Sequence, residues 1–193
     1  MRLTHITIQW MLLSLVALIG VELVGFAAEP ASHDHWMQQA IGLSQSGTQA
    51  GGGPFGAVII DASGKRIGSG HNRVALDNDP TAHGEVMAIR DAAKRIGNFN
   101  LSGATLYTST FPCPMCYAAA KWANIKTIYY ANRPEDVAPT FDDSALWKEM
   151  EQGSKHLPQV VALKSQRPAA QRAFQAWVKQ MKDQHITNYN PTP

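Results

Sequence analysis

Four residues carry the chemistry that can be read first. His83 and Glu85 stand in "HGE", and Cys113 and Cys116 in "PCPMC". These two cysteines are the only ones in the 193 residues. Read alone, a C-x-x-C pair can close a disulfide, cycle as a redox pair or hold a metal. His83 alone could be a structural histidine near a helix start, and Glu85 a first-turn acid favoured by the helix dipole. Together they point elsewhere. One imidazole and two thiolates are three ligands of the kind zinc takes in tetrahedral N/S coordination, and a catalytic site leaves the fourth position open. Glu85, two residues from His83, would stand beside that ion without ligating it. A carboxylate there can take a proton from activated water and pass it on.

Both motifs must sit at helix starts, where backbone N–H groups and the positive end of the dipole help keep thiols ionised. The pattern predicts a helix at 32–46, a glycine-rich loop at 49–56, and a hairpin of strands 57–62 and 66–72 around "SGK". The loop at 76–81 carries helix-start chemistry, with Asp79 or Thr81 as a cap and Pro80 suited to a first turn. A helix at 82–96 presents His83 and Glu85, and a helix at 112–124, after a strand at 104–110, presents the cysteines. A strand at 127–132, a loop and short helix at 139–150, a strand at 159–163 and a closing helix at 168–184 follow. Phe174 and Trp177 form the inward stripe of that last helix. The order predicts an α/β fold, a three-layer α/β/α sandwich around a mixed sheet. Ligands collect at one end of such a sheet. A thioredoxin-like pair follows the first strand of its fold, whereas this pair follows the strand at 104–110, after the hairpin and a helix.

The remaining properties bound the function. With 45% hydrophobic residues the chain can bury a sizeable core, and a net charge of +2 is too weak to predict a nucleic-acid partner. Residues 1–28 read as a signal peptide: Arg2 gives a thin positive start, "WMLLSLVALIGV" an apolar run, and "GFAA" a cleavage site after Ala27 or Ala28. A buried core helix is the other reading of that run. The expectation is a mature domain at 29–184 with a polar tail at 185–193, exported to the periplasm or secreted, with no stable membrane insertion after cleavage. The chain would be cytoplasmic instead if the leader is a mis-assigned start.

H-x-E followed by P-C-x-x-C is the signature of the zinc-dependent nucleobase deaminases. "GGPFGAVI", "HNRV", "NDPTAHGE", "LYTS", "PCPMC", "FDDS" and "FQAW" together resemble the bacterial guanine deaminase branch of the cytidine deaminase-like superfamily, across residues 35–180. The resemblance implies a cytidine deaminase-like fold, Zn2+ as cofactor and His83, Cys113 and Cys116 as its ligands. It implies a hydrolase of purine metabolism that converts guanine to xanthine and ammonia. Activated water attacks C2, and Glu85 protonates the neighbouring ring nitrogen. It gives Asp143, the second acid of "FDDS", a role in binding substrate and protonating the leaving amine; the helix-start sequence also allows Asp142 or Asp143 as an N-cap. By the same resemblance Asn72 holds the purine edge and Phe55 lies against the base. The small-molecule base is the expected partner, with a homodimer in which the C-terminal segment exchanges and Tyr189 reaches the other subunit's site.

Two positions depart from the pattern. Gly84 stands where alanine is usual and lies where the backbone can touch substrate, and Phe111 stands where glutamate is usual before Pro112. Other readings stay open. A related enzyme would deaminate cytosine, cytidine or tRNA adenosine. A protein of a different class would carry a structural zinc or a C-x-x-C disulfide and no activity. Asn72 could be a turn asparagine, and Phe55 and Trp122 could be core.

Overall fold

The structure, a computed structural model, describes residues 32–138 and 140–152, with Arg167, Gln171, Arg172, Gln175, Ala176 and Val178. Ser32 begins the first helix, α1 (His33–Gln49), by accepting a hydrogen bond from His35 N at 3.2 Å. Such a cap satisfies one of the donors a helix start leaves orphaned. The helix runs past the expected end at residue 46. Gly47, which reads as a stop, is kept by packing: a Cβ there would lie 2.8 Å from the His71 side chain.

Strand β1 (Gly56–Ile60) is buried along its whole length. It pairs antiparallel with β2 (Arg66–His71) on one side and with β3 (Thr105–Thr110) on the other. β3 pairs parallel with β4 (Thr127–Asn132), giving the order β2-β1-β3-β4. The mixed sheet expected from the element order is therefore present.

Alternation along β1 divides the core in two. Ala57 and Ile59 join Leu106 beneath Ala88, Ala92 and Ala120 on one face. Val58, Ile60 and Tyr107 meet Ala40 of α1 on the other, with Trp36, Met37 and Leu43 packed around them. These are the three layers. Ile59 and Leu106 are fully enclosed, and each such side chain stabilises the fold by about 1.5–3 kcal/mol. Truncating Ile59 to alanine would cost about 2–5 kcal/mol.

Helix α3 (Gly84–Ile96), which follows the single turn α2 (Val74–Asp77), lies very close to β2. A Cβ on Gly68 would come within 2.5 Å of the Ala88 carbonyl oxygen, and one on Gly70 within 2.5 Å of Ala88 N. Only glycine allows this approach. α3 starts two residues later than predicted. Asp79 spends its carboxylate on its own loop, accepting from Thr81 N at 2.8 Å and Thr81 Oγ1 at 2.7 Å. His83 takes the N-cap position in place of Asp79 or Thr81. Helix α4 (Pro114–Trp122) follows β3, with Pro114 in its first turn and Cys113 as its N-cap. The short α5 (Pro134–Val137) and the helix α6 (Ser144–Gln152) follow β4.

The leader at 1–28, the strand expected at 159–163, the tail, Phe174, Trp177 and Tyr189 lie outside the described residues. Within the closing helix expected at 168–184, Gln171, Arg172, Gln175, Ala176 and Val178 are helical. Among the described residues no helix is long and apolar enough to cross a membrane.

Candidate active site

The pairing puts four strand ends on one edge of the sheet. Gly56 at the start of β1 lies opposite His71 at the end of β2, and Thr110 at the end of β3 opposite Asn132 at the end of β4. Gly56 N donates to Ser109 Oγ at 3.1 Å, which fastens β1 to β3 there. The loops and helix starts that leave this edge carry every described candidate residue.

His83 and Cys113 are the N-cap residues of α3 and α4, both with extended backbone. That conformation turns their side chains back over the two helix starts. His83 Nδ1 lies 3.5 Å from Cys113 Sγ and 3.5 Å from Cys116 Sγ. Zn–S bonds near 2.3 Å and Zn–N bonds near 2.0 Å, at a tetrahedral angle, put nitrogen and sulfur about 3.5 Å apart. The donor set and its spacing therefore fit zinc. Neither cysteine is in a disulfide, and both are buried, Cys116 completely. The hydrogen bond from Cys116 holds Cys113 down at about 4, with His83 assisting. The same bond, with burial, holds Cys116 as the neutral thiol. His83 is raised, chiefly by its contact with Cys113.

Glu85 is 5% exposed and lies in the first turn of α3. It stands outside the His–Cys–Cys cluster, yet its Oε2 is 3.4 Å from Cys116 Sγ. Burial raises its pKa, since desolvation disfavours the ionised form. The other oxygen is held by a residue the motifs do not single out. Thr108, on β3 and fully buried, places Oγ1 3.0 Å from Glu85 Oε1 and 3.1 Å from the Thr110 carbonyl oxygen. A hydroxyl both donates and accepts. It can donate to Glu85 when the acid is ionised, or accept from it when protonated and turn its own proton to Thr110. Thr108 lies within "LYTS", but only the strand pairing brings it beneath residue 85.

Asn72 is buried, and its Oδ1 accepts from Gly53 N at 3.3 Å and Val74 N at 3.2 Å. Two backbone donors fix the amide orientation, so Nδ2, without a partner among the described residues, is a donor free for a ligand. Asn72 N in turn donates to the Phe55 carbonyl at 2.8 Å. The Phe55 ring meets Phe141 at 5.1 Å between centroids, so it faces the acidic loop and is not core. Gly84 sits under the same carbonyl: a Cβ on it would come 2.8 Å from Phe55 O. The missing methyl is thus required by this packing.

The loop after α5 brings up the acids. Asp142 Oδ1 accepts from Ser144 N, the first N–H of α6, at 2.9 Å. Asp143 supplies its backbone carbonyl to Trp147 N at 3.1 Å, while its side chain takes no hydrogen bond from the following turn among the described residues. Its pKa is raised by burial first and then by the charge of Cys113. Asp143 thus takes the N-cap position through its main chain, Asp142 bonds Ser144 N, and the Asp143 carboxylate feels the charge of Cys113. Trp122 is 56% exposed and therefore not core. Phe111, in place of an acid, packs against Tyr130 at 5.1 Å.

Residues 30–132 match the cytidine and deoxycytidylate deaminase zinc-binding region. The chain is 47% identical over 122 residues to the guanine deaminase of Bacillus subtilis, covering 62% of this chain and 78% of that protein. It superposes on the X-ray structure of guanine deaminase from Bacillus subtilis with a TM-score of 0.66 and 40% identity, over 82% of this chain and 97% of that one. It is 38% identical over 94 residues to the tRNA-specific adenosine deaminase of Haemophilus influenzae, covering 49% of this chain and 54% of that protein. Two capped helix starts that bring one imidazole, two sulfurs and an unligated carboxylate together thus agree with the sequence match: this chain belongs to the zinc-binding cytidine and deoxycytidylate deaminase family and is a hydrolytic deaminase.

Proposed function

We propose that this enzyme deaminates guanine to xanthine and ammonia, with His83, Cys113 and Cys116 holding zinc. The observation that carries the catalytic reading is Glu85, buried 3.4 Å from Cys116 Sγ yet outside the ligand cluster. A structural zinc site has no use for an unligated acid at an open position. Zinc, when bound, supplies the Lewis acidity that makes water a nucleophile near neutral pH.

The protein's own groups do the rest. Glu85 takes the proton of water on Oε2 and delivers it to the ring nitrogen beside C2. Thr108 Oγ1 holds Oε1 through both protonation states. The C2–O bond forms first; the C2–N bond then breaks as Asp143 gives a proton to the leaving amine and Glu85 takes the proton of the added hydroxyl, which returns to Asp143 through solvent. Asn72 Nδ2 donates to an acceptor on the purine edge. Phe55 and Phe141 wall the base. The Bacillus subtilis relative, at 47% identity, supports guanine as the substrate. The leader expected at 1–28, with export, and a homodimer to which Tyr189 contributes are parts of the same proposal; N-terminal sequencing of the fractionated protein and its sedimentation test them.

The test is a screen of the zinc-loaded protein on guanine, adenine, cytosine, cytidine, ammeline and a tRNA anticodon stem-loop, reading ammonia. Release from guanine is expected, with a loss of about 10²–10⁴-fold in Glu85→Gln at unchanged zinc content. A metal-loaded protein inert on every amino-heterocycle sinks the reading, and release from the stem-loop alone would move the substrate to tRNA adenosine.

A further inference from the structure

We propose that an aromatic clamp of Phe111, Tyr117 and Trp147 ties the cysteine loop to Asp143 and sets where that carboxylate stands. The proposal rests on the reading of Asp143 as the acid at the leaving amine.

Phe111 lies two residues before Cys113, and Tyr117 directly after Cys116. Trp147 of α6 is gripped by both. Its ring lies 6.5 Å from Phe111, tilted by 55°, and 5.8 Å from Tyr117, edge-on at 70°. Phe111 is itself edge-on to Tyr130 of β4 at 5.1 Å, and its N–H donates to the Asn132 carbonyl at 2.8 Å. Main chain and ring are thus both fixed to the end of the sheet. Trp147 is one helical turn beyond Asp143, and its N–H donates to the Asp143 carbonyl at 3.1 Å. A shift of the indole therefore moves the residue that carries the carboxylate. Phe111 and Asp143 line the same small cavity, with Thr110 and Phe141. On the far side of the loop, Phe141 rests on Phe55. The acid stands between two aromatic contacts, one from the cysteine loop and one from the glycine-rich loop.

Among the described residues the side chain of Asp143 takes no hydrogen bond from the helix that follows it and only one from its own N–H, so packing sets where it stands. The indole Nε1 of Trp147 is buried without a partner among the described residues. The clamp therefore works through ring contact, and phenylalanine should serve at 147. The residue at 111 is the key to the arrangement: a glutamate there would set a charge against Tyr130 and Trp147 where this chain has an aromatic face. Trp147 and Phe111 are positioning residues, acting through Asp143.

The experiment is a double-mutant cycle on the zinc-loaded full chain, with kcat, KM, zinc per chain and far-UV circular dichroism for each variant. Trp147→Ala should lower kcat by about 10²-fold, the scale of a small misplacement of a reacting group. KM should stay within about threefold and zinc should be unchanged, the signature of a contact that matters in the transition state. Trp147→Phe should return kcat to within about threefold of the parent. In an Asp143→Asn background, Trp147→Ala should lower kcat by no more than about twofold further, because residues acting as one unit do not add. A loss that multiplies in the double variant overturns the clamp, as does Trp147→Ala at the parental kcat. Asp143→Asn at the parental kcat overturns the reading of Asp143 itself. Should Trp147→Ala fail to fold, Phe111→Leu enters the same cycle with the same expectations.

Discussion

Exchange of the Thr108 hydroxyl for a methyl group isolates one hydrogen bond at the centre of the site. Thr108→Val keeps the shape of a side chain that is 0% exposed, so it leaves no cavity. It removes the hydroxyl 3.0 Å from Glu85 Oε1, the one side-chain donor to that oxygen among the described residues, and leaves Cys116 Sγ against Oε2. A hydrogen bond to a charged group contributes about 1.5–3 kcal/mol, and each 1.36 kcal/mol is tenfold in rate. The carboxylate should therefore lose about 10- to 10²-fold in kcat through misplacement and a shifted proton affinity. Stability should change less, because a buried methyl returns up to about 1 kcal/mol of what the hydroxyl gave. Thr108→Ser reverses the pattern. It keeps the hydroxyl and turnover, and loses about 0.5–1.5 kcal/mol of stability to the methyl-sized gap. The assay is ammonia release with zinc content, beside urea unfolding of each variant. Parental turnover in fully metallated Thr108→Val would refute the claim that this hydroxyl holds Glu85.

Further predictions concern the neighbouring contacts. Gly84→Ala, which installs the residue usual at this position, should destabilise by about 1–3 kcal/mol less a helix gain of about 0.5–1 kcal/mol, and should raise KM through Phe55 and Asn72; unchanged melting and KM would show that the Phe55 carbonyl yields freely. In chelated protein Cys113 should alkylate before Cys116, because its pKa is held near 4 while Cys116 keeps its proton. The sign follows from the lowered value: the thiolate persists as pH falls toward 4, so labelling of Cys113 at pH 6 should remain close to that at pH 8, as read by peptide mass spectrometry. Gly70→Val should unfold the sheet edge, since even its Cβ would meet Ala88 N at 2.5 Å; a soluble variant with native circular dichroism would contradict that packing.

The ligand set was legible in the sequence because its spacing is local. A histidine two residues from an acid, and two cysteines three apart, each belong to one helix start. The unbroken apolar run "AVII" likewise gave away a strand buried on both faces. Helix ends were less legible. Gly47 reads as a stop until its contact with His71 is seen, and Asp79 reads as a cap until its carboxylate is found on Thr81. Thr108 could not be singled out, since its role depends on β3 passing under a residue 23 positions away. The same holds for Trp147, whose partners lie in another helix and another loop. How Asp142 and Asp143 share the start of α6 needed the bonds from Ser144 and Trp147.

The convergence of His83 on two sulfurs has a consequence for the chain as a polymer. An ion seated among them would cross-link residue 83 to residue 113 and close a loop of thirty residues. By loop-closure entropy such a tie is worth roughly 3–4 kcal/mol against the unfolded ensemble, on the scale of a disulfide. It differs from a disulfide in being undone by a chelator and not by a reductant. With only two cysteines in the sequence, both at the same ion, no third thiol is left to mispair with. Such a protein could refold in an oxidising solution provided metal arrives before the two sulfurs find each other.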